Sequence, residues 1–433
     1  MSRILIGELS ARAGDDVTIA GWLHRRRELS RVTFLVLRDR SGIGQVVITD
    51  PAQIRTVGEI LPETVVRVRG RSVASAQAPG GAEVHDPIIE VLAAPAETPP
   101  VDVWRPELAE TLPLRLDLAA LTLRHLRERA KFEIAAASIA GFRRALAGLG
   151  FTEVQTPKIV GSATEGGANV FRLDYFGRSA YLAQSPQFYK QTMVGVFERV
   201  FETGPVFRAE PHDTPRHLSE YVSLDAELGF IEDHHDVMAV LREAICGMLD
   251  SIRRDTRRSV AFLGLELPDV PPQIPEVDFA QAQALISADT GEDLAGENDL
   301  APAHERWLGE WARREHRSEF LFVTGYPISK RPFYTHPDPE RPVASRSFDL
   351  LFRGLELVTG GQRLHRYEDY LAALRERGQD PADYAGYLQA FRYGMPPHGG
   401  FAIGLERWTA RLTGAANIRE TTLFPRDLNR LSP

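Results

Sequence analysis

The sequence predicts two unlike parts in one chain, an all-β barrel at the N-terminus and an α+β domain after it. Residues 1–98 contain five short strand-like runs separated by turn signals, which is typical of a small barrel. The segment from Leu121 to Leu149 has a long helical pattern without proline, and Gly150 follows where a helix end is expected. Further helical patterns and strand-like runs occupy the rest of the chain, so an α+β domain is expected there.

Composition favours an ordinary globular protein of the cytoplasm. The 433 residues suffice for two or three domains, and no apolar run is long enough for a membrane span. A signal peptide pattern is also missing. The single cysteine, Cys246, excludes an internal disulfide and a cysteine-cluster metal site. The net charge of −8 argues only weakly against nucleic acid, because four arginines cluster locally at positions 25, 26, 27 and 31.

The N-terminal strands follow the order of an OB-fold, a barrel whose face binds oligonucleotides. A short helix is expected at 53–61, between the third and fourth strands. A generic β-barrel is the alternative that the strand pattern leaves open. The stretch 93–113 is rich in proline and polar residues, which indicates a linker. We therefore predict three parts, which are the barrel at 1–98, a linker or hinge at 99–120, and the α+β domain at 121–433.

The most informative stretch, 201–230, is predicted to form two strands joined by a long polar loop. Arg208 and Glu210 end the first strand, His217 lies in the loop, and Tyr221 begins the second strand. An arginine for phosphate, a loop with donors and an aromatic ring for a base are the parts of a nucleotide site. A solvated hairpin with a charged tip is the alternative.

A second informative stretch runs from Ser347 to Arg363. Gly354 permits a bend or a bulge, so Asp349 and Glu356 can converge despite their opposite nominal parity along a strand. Two carboxylates near phosphates are suitable ligands for Mg²⁺. Arg363 follows a Gly-Gly-Gln sequence and can bind a carboxylate with both arms of its guanidinium. Two solvent-facing acids are the alternative, which the apolar flanking residues disfavour.

Two shorter segments also carry candidate residues. The glycine-rich stretch 161–167 is either a lid or a plain linker, and Glu165 is its only charge. Downstream, Ser185 and Pro186 begin a helix on which Gln187 and Lys190 face the same side. A solvated helix face is the alternative, but Lys190 is one of only four lysines among 51 basic residues.

These segments resemble the class II aminoacyl-tRNA synthetases. The sequence FRAEPHDTPRHLSEY at 207–221 is similar to motif 2 of the aspartyl and asparaginyl branch. The helical pattern and the strand with Pro157 resemble motif 1, and HGGFAIGLERW at 398–408 resembles motif 3, whose core is G-x-E-R. In the barrel, G-W-L-H-x-R and F-L-x-L-R-D-x-x-G resemble the anticodon-binding domain of this branch. The motifs occur in the family's order, and the resemblance covers essentially the whole chain.

The resemblance implies both a fold and an activity. The fold would be an OB-fold followed by a catalytic domain, in which helices flank a mostly antiparallel sheet, and the chain would form a homodimer. The activity would be ligation of L-aspartate to tRNA through aspartyl-adenylate, with ATP as substrate and Mg²⁺ as cofactor. The spacing of motifs 2 and 3 leaves no room for the large insertion of the common bacterial form, so the compact form seen in archaea and some bacteria is expected.

Matching positions of the motifs imply the residue roles. Arg208 and Arg407 are expected to be catalytic and to hold the α- and γ-phosphates. Glu210 would meet the adenine amino group, His217 would lie near the phosphate tail, and Tyr221 would stack on adenine. For the metal, the resemblance implies Asp349, Glu356, which also contacts ATP, and Thr359. For aspartate, Lys190 and Arg363 would neutralise the side chain, while Glu165 and Gln187 would orient the ammonium group.

His24 and Pro79 are expected to decide which tRNAs are charged. In this branch, enzymes restricted to aspartate tRNA often carry tryptophan at the position of His24 and a lysine in the loop that contains Pro79. Neither is present in this chain, so groups that could favour cytosine at anticodon position 36 are missing. We therefore expect an enzyme that charges both tRNA(Asp) and tRNA(Asn) with aspartate. A tRNA-dependent amidotransferase would then have to convert the mischarged product.

Four alternatives remain at this stage. They are a discriminating aspartyl enzyme, an asparaginyl-tRNA synthetase, an ammonia-dependent asparagine synthetase and a non-catalytic RNA-binding relative. The side chain of asparagine ends in a neutral amide, so an asparagine site would not need the two positive charges of Lys190 and Arg363. An asparagine synthetase should lack the barrel, and a non-catalytic relative should have lost the arginines or the acidic pair.

Overall fold

The computed structural model describes residues 2–161 and 169–433. The chain forms two compact units, residues 1–126 and 127–433. None of the helices in the described ranges has both the length and the apolar character needed to cross a membrane.

The first unit is built on a closed barrel of five strands. The strands are β1 (Asp16–Glu28), β2 (Thr33–Asp39), β3 (Gly42–Ile48), β4 (Val65–Ala74) and β5 (Ala82–Ala93), and they close in the order β1-β2-β3-β5-β4. Helix α1 (Pro51–Gly58) lies between β3 and β4, where the Asp50 carboxylate caps it by accepting a hydrogen bond from Gln53 N at 2.9 Å. Alternate residues such as Ile19 and Val68 point inward and are fully buried. The predicted OB-fold barrel is therefore confirmed.

Two short helices lead from the barrel to the second unit. They are α2 (Leu112–Asp117) and α3 (Ala119–Thr122), and the long helix α4 (Leu126–Gly148) follows them. The helical pattern that starts at Leu121 therefore spans two helices, because α3 ends at Thr122 and a turn at Arg124 separates it from α4. The proposed linker at 99–120 contains α2, and its boundaries stay a prediction.

The second unit is built on an eight-stranded sheet. Its strands are β6 (Thr152–Glu153), β10 (Arg199–Phe207), β11 (Glu220–Gly229), β12 (Glu276–Asp278), β13 (Phe320–Thr324), β14 (Ser347–Phe352), β15 (Glu356–Gln362) and β16 (His398–Gly404). Their order is β12-β13-β14-β15-β16-β11-β10-β6, in which only the β12–β13 and β6–β10 pairs are parallel. A small second sheet has the order β7-β9-β8, with β7 (Ile159–Val160), β8 (Arg172–Tyr175) and β9 (Arg178–Leu182). The mostly antiparallel α+β architecture is confirmed.

Helices cover the large sheet. Besides α4 they are α5 (Gln187–Phe197), α6 (His234–Asp255), α7 (Arg257–Leu263), α8 (Phe279–Thr290), α9 (Pro302–His316), α10 (Tyr367–Glu376), α11 (Ala385–Arg392) and α12 (Leu405–Thr413). Short 3-10 turns occur at 6–8, 10–12, 79–81, 328–330, 381–384 and 418–421. Helices α4 and α6 pack so closely that a Cβ on Gly141 would lie 2.3 Å from Gly247 O. The main core lies between these helices and the sheet, where residues such as Phe142, Ile245 and Phe401 are fully buried.

Candidate functional site

A cavity of about 630 Å³ lies beside the centre of the large sheet. Its lining comes from the β10–β11 loop, from β15 and from the junction of β16 with α12. Seven of the residues singled out from the sequence line it, namely Arg208, Glu210, His217, Tyr221, Glu356, Thr359 and Arg407. The fold thus brings together residues that are up to about 200 positions apart in the chain.

The β10–β11 hairpin positions the first group of these residues. Val206 pairs with Tyr221 one step before the end of the two strands, and the backbone of Arg208 closes the loop by donating to Ser219 O at 2.9 Å. The Arg208 guanidinium lies 6.0 Å from the centre of the Tyr221 ring, and its Nη1 lies 3.7 Å from Glu210 Oε1. A cation therefore stands beside an aromatic face and an acceptor, as a nucleotide site requires.

His217 lies in the loop between these strands. Its Nδ1 is 2.6 Å from Thr214 Oγ1, and its Nε2 is 3.8 Å from Glu210 Oε2. Burial lowers the pKa of His217, while Glu210 opposes this shift and Arg407 adds to it. The ring is accordingly neutral at neutral pH, and it can donate one hydrogen bond to a phosphate oxygen.

Arg407 stands where β16 gives way to α12. Its Nη1 donates to Glu356 O at 3.3 Å and lies 3.5 Å from Glu356 Oε1. The preceding residue, Glu406, is buried at the wall of the cavity, and both of its carboxylate oxygens accept from Val222 N at 3.1 Å. Burial raises the pKa of Glu406 to about 7. Glu406 therefore ties the third motif to β11, a role that the sequence analysis missed.

A β-bulge brings the acidic pair together. Asp349 pairs with Thr359 and Leu350 with Val358, but the next residue, Leu351, pairs with Glu356, so that Leu357 is an extra residue on β15. The bulge places Glu356 on the same face as Asp349 and Thr359. Thr359 Oγ1 lies 3.5 Å from Glu356 Oε1. The expected convergence is confirmed, although the bulge lies beyond Gly354, which instead turns the chain with a φ of +71°.

The two carboxylates have different surroundings. Asp349 is buried, and its Oδ2 lies 3.0 Å from Arg331 Nη2. Its other oxygen, Oδ1, has no hydrogen-bond partner among the described residues. Burial and the negative charge of Asp349 raise the pKa of Glu356, while Arg407 opposes the shift. Arg331 was not singled out from the sequence, because it lies outside every recognised motif.

A buried group of four charged side chains lies on α5, β11 and the end of β15. We call Lys190, Asp225, Glu227 and Arg363 the charge cluster. Lys190 Nζ lies 3.0 Å from Asp225 Oδ1 and 3.4 Å from Glu227 Oε2. Arg363 Nε donates to the opposite oxygen of Glu227, Oε1, at 3.0 Å. Two cations therefore face two carboxylates in a region closed to solvent.

Backbone groups and one amide complete the surroundings of the charge cluster. Lys190 Nζ donates to Phe401 O at 3.3 Å, and Arg363 Nη2 donates to Gly400 O at 3.0 Å. The Gln187 amide lies 3.5 Å from Glu227 Oε2. Burial alone would raise the pKa of Glu227, but the positive charges of Arg363 and Lys190 outweigh it and lower the pKa.

The sequence analysis predicted the cations of the charge cluster but missed its carboxylates. The signal was present, because Asp225 and Glu227 alternate with Leu224, Ala226 and Leu228 in a strand that is otherwise apolar. Acids spaced two apart share one face of a strand, and buried acids need partners. Glu165, the remaining candidate for amino-acid binding, lies outside the described residues.

The two specificity candidates lie in the first unit. His24 is the extra residue of a bulge on β1, since Leu23 pairs with Leu37 and Arg25 pairs with Val36. Its ring is buried, and burial followed by the charge of Arg38 lowers its pKa to about 4. Pro79 begins the 3-10 turn between β4 and β5, and it is half-buried.

Comparison with protein families identifies the class. Residues 111–428 match the family model described as tRNA synthetases class II (D, K and N), and residues 17–92 match the model of an OB-fold nucleic acid binding domain. The first match covers well over half of the chain. The chain therefore belongs to the class II tRNA synthetases, as the three motifs implied.

The chain is also similar over its full length to named members of this class. The chain is 47% identical to an aspartate–tRNA(Asp/Asn) ligase of Thermus thermophilus, with 100% of both chains covered. It is 42% identical to the ligase of the same name from Methanopyrus kandleri, with 98% of this chain and 97% of the relative covered. Among solved structures, asparaginyl-tRNA synthetase of Pyrococcus horikoshii complexed with asparaginyl-adenylate matches with a TM-score of 0.93 at 32% identity over 100% of both chains.

Replacing Glu406 with glutamine should change how stability depends on pH. The folded pKa of about 7 exceeds the ordinary value of 4.5, so protonation favours the folded state. The stabilisation of the folded state by protonated Glu406 is complete below pH 4.5 and is lost as the pH rises through about 7. At higher pH the wild type therefore carries a cost of roughly 3 kcal/mol, at about 1.36 kcal/mol per pKa unit, which the neutral amide avoids.

Urea unfolding at about pH 5 and about pH 8 measures this effect. As the pH rises from about 5 to about 8, the free energy of unfolding of the Glu406→Gln variant should increase relative to that of the wild type. The control is Glu376→Gln, which changes an exposed residue at the end of α10. Parallel pH profiles for the wild type and Glu406→Gln would show that the Glu406 carboxyl is not perturbed.

Proposed function

We propose that this chain activates L-aspartate with ATP and ligates it to both tRNA(Asp) and tRNA(Asn). The charge cluster is the observation that carries the choice of amino acid. It places two buried cations, Lys190 and Arg363, within reach of the same carboxylate, Glu227. The names of the full-length relatives support the same substrates, since those proteins are called aspartate–tRNA(Asp/Asn) ligases.

The charge cluster favours a carboxylate ligand over an amide. Arg363 uses Nε and Nη2 in its contacts with Glu227 and Gly400, and its Nη1 makes no hydrogen bond to the part of the chain that the structure describes. A ligand carboxylate can accept from this free arm and from Lys190. The amide nitrogen of asparagine would instead bring donors against donors, which leaves buried polar groups unpaired. This argument favours aspartate over asparagine, the alternative that a neighbouring structure would otherwise suggest.

The proposed reaction has two steps. An oxygen of the aspartate α-carboxylate attacks the α-phosphorus of ATP, the bond to the bridging oxygen breaks, and pyrophosphate leaves. The 3′-hydroxyl of the terminal adenosine of tRNA then attacks the carbonyl carbon of aspartyl-adenylate, and AMP and a proton are released. Because both reactants of the first step are anions, the site has to neutralise charge and align the reacting atoms. Arg208 at the α-phosphate and Arg407 at the γ-phosphate supply positive charge, while Tyr221 holds the base.

Asp349, Glu356 and Thr359 form the proposed magnesium site. The residues fit this ion, because Asp349 Oδ1 is a buried oxygen without a hydrogen-bond partner in the described ranges, and Glu356 and Thr359 line the cavity on the same strand face. Bound Mg²⁺ would neutralise phosphate charge. Arg331 holds Oδ2 of Asp349 and thereby fixes the orientation of the carboxylate.

Three further parts of the proposal concern the partners and the ammonium group of the substrate. Resemblance of α4 and the Pro157 segment to motif 1 supports a homodimer. Charging of tRNA(Asn) with aspartate calls for a tRNA-dependent amidotransferase, because the product carries a carboxylate where asparagine carries an amide. Glu165 and Gln187 are proposed to orient the substrate ammonium group.

Lys190→Met should nearly abolish aspartate activation while ATP binding persists. Removing one member of a buried charge pair costs roughly 2–5 kcal/mol, which corresponds to a loss of at least about thirtyfold. ATP–pyrophosphate exchange driven by aspartate measures the effect. Lys131→Met is the matched control, since Lys131 is also buried and also contacts two carboxylates, Glu128 and Glu420, but lines neither the cavity nor the charge cluster. Exchange that survives in Lys190→Met would remove Lys190 from aspartate recognition.

Glu356→Gln should lower adenylate formation by at least about tenfold and raise the Mg²⁺ concentration needed for half-maximal exchange. Affinity for tRNA should stay unchanged, because the anticodon is read in the barrel. Exchange assays over a range of Mg²⁺ and filter binding of tRNA test the two parts, with Glu376→Gln as the control. A variant that binds tRNA poorly but activates aspartate normally would disprove the metal role.

The wild type should aspartylate transcripts of tRNA(Asp) that carry either C36 or U36. A preference for C36 above about a hundredfold, near 2.7 kcal/mol, would contradict dual charging. His24→Trp should shift the ratio towards C36, because a bulky ring replaces the imidazole. An unchanged ratio in that variant would remove His24 from the explanation.

A further inference from the structure

The bulge on β1 gives His24 a defined partner. The ring nitrogen Nδ1 lies 3.1 Å from Nη1 of Arg38. A guanidinium has only donors, so Nδ1 has to accept this hydrogen bond. A neutral ring that accepts at Nδ1 carries its proton on Nε2.

A buried ion pair holds Arg38 in place. Its Nη1 and Nη2 donate to the two carboxylate oxygens of Glu63 at 2.9 and 2.7 Å. Arg124 Nη1 donates to Glu63 Oε2 at 3.0 Å. Arg38 and Glu63 are only 4% and 5% exposed, so neither side chain can turn away without leaving a buried charge unpaired. Glu63 also holds a φ of +66°, a conformation that costs energy for a residue other than glycine.

The second ring nitrogen of His24 is available to a ligand. Nε2 makes no hydrogen bond to the described part of the chain. It is also absent from the fully buried polar atoms that lack a partner, so it retains some exposure to solvent. Exposed arginines follow His24 on the same strand, with Arg25 over the Trp104 ring at 4.4 Å and Arg27 over the Phe34 ring at 5.1 Å. Cations combined with aromatic faces suit an unpaired stretch of nucleic acid.

We infer that Arg38 and Glu63 lock His24 in the tautomer with the proton on Nε2, and that this N–H donates to O2 of the pyrimidine at anticodon position 36. The inference rests on the proposed function, because it takes position 36 as the base that meets His24. Cytosine and uracil differ at N3 and at the 4-position, but both carry an acceptor at O2. A donor fixed on O2 therefore binds either base and distinguishes neither. Arg38 and Glu63 act as positioning residues for this contact.

Two substitutions of His24 test the position of the donor. The amide nitrogen of glutamine can occupy the place of Nε2, whereas that of asparagine reaches only as far as Nδ1. His24→Gln should charge the C36 and U36 transcripts within about threefold of the wild type. His24→Asn should lose about tenfold on both, the typical effect of one neutral hydrogen bond. Equal losses in the two variants, no loss in His24→Asn, or a loss confined to one transcript would overturn the inference.

A modified tRNA tests the acceptor without changing the protein. Replacing U36 with 2-thiouridine exchanges O2 for sulfur, a weaker acceptor. The wild type should then lose about as much as His24→Asn loses on the ordinary transcript, and His24→Asn should lose nothing further. Additive losses would show that His24 does not contact this atom.

A separate experiment tests whether Glu63 positions His24 through Arg38. Glu63→Gln weakens the hold on Arg38, so charging of both transcripts should fall as in His24→Asn while aspartate-dependent ATP–pyrophosphate exchange stays unchanged. Full charging by Glu63→Gln would refute the positioning role. If the wild type rejects the U36 transcript altogether, dual charging fails as a proposal, whereas a 2-thiocytidine transcript still tests the donor to O2.

Discussion

The packing of α5 against the large sheet depends on the electrical neutrality of the charge cluster. Taking a single ion out of water costs several kcal/mol, so Lys190 and Arg363 can be buried only because Asp225 and Glu227 balance them. The four side chains come from a helix and from two strands, and the two cations also donate to carbonyl groups of a third strand. The electrostatic requirement therefore fixes how α5, β11, β15 and β16 sit together, and the same arrangement leaves an arm of Arg363 for a ligand.

Glycines make room for this arrangement. A Cβ on Gly400 would lie 2.1 Å from Glu227 Oε2, and a Cβ on Gly360 would lie 2.4 Å from the Phe348 ring. Any larger residue at these positions would push apart strands that carry the charged groups. Gly400, in the third motif, is thus required by the packing of a buried ion, and Gly360, on β15, by the packing of a buried ring.

Hydrogen bonds and one buried ion pair fix the orientation of key side chains in both units. Arg331 holds one oxygen of Asp349, Glu406 ties the third motif to β11, and Arg38 holds the ring of His24. A site built in this way needs little rearrangement when charge develops during the reaction, which is where preorganised groups contribute most. Two β-bulges also orient side chains of the proposed sites, because an extra residue redirects the side chains around it. The bulge at Leu357 turns Glu356 to the face of Asp349, and the bulge on β1 contains His24 itself.

The sequence by itself determined the OB-fold barrel, the β10–β11 hairpin, the order of the three motifs and seven of the residues that line the cavity. These features depend on local periodicity, on turn residues and on short motifs, all of which can be read along the chain. Only the tertiary structure showed that Asp225 and Glu227 neutralise Lys190 and Arg363, that the bulge lies at Leu357, and that Arg38 and Glu63 hold His24. Such pairings join residues that are distant in the chain, and their identity follows from which buried charges need partners once the sheet has formed.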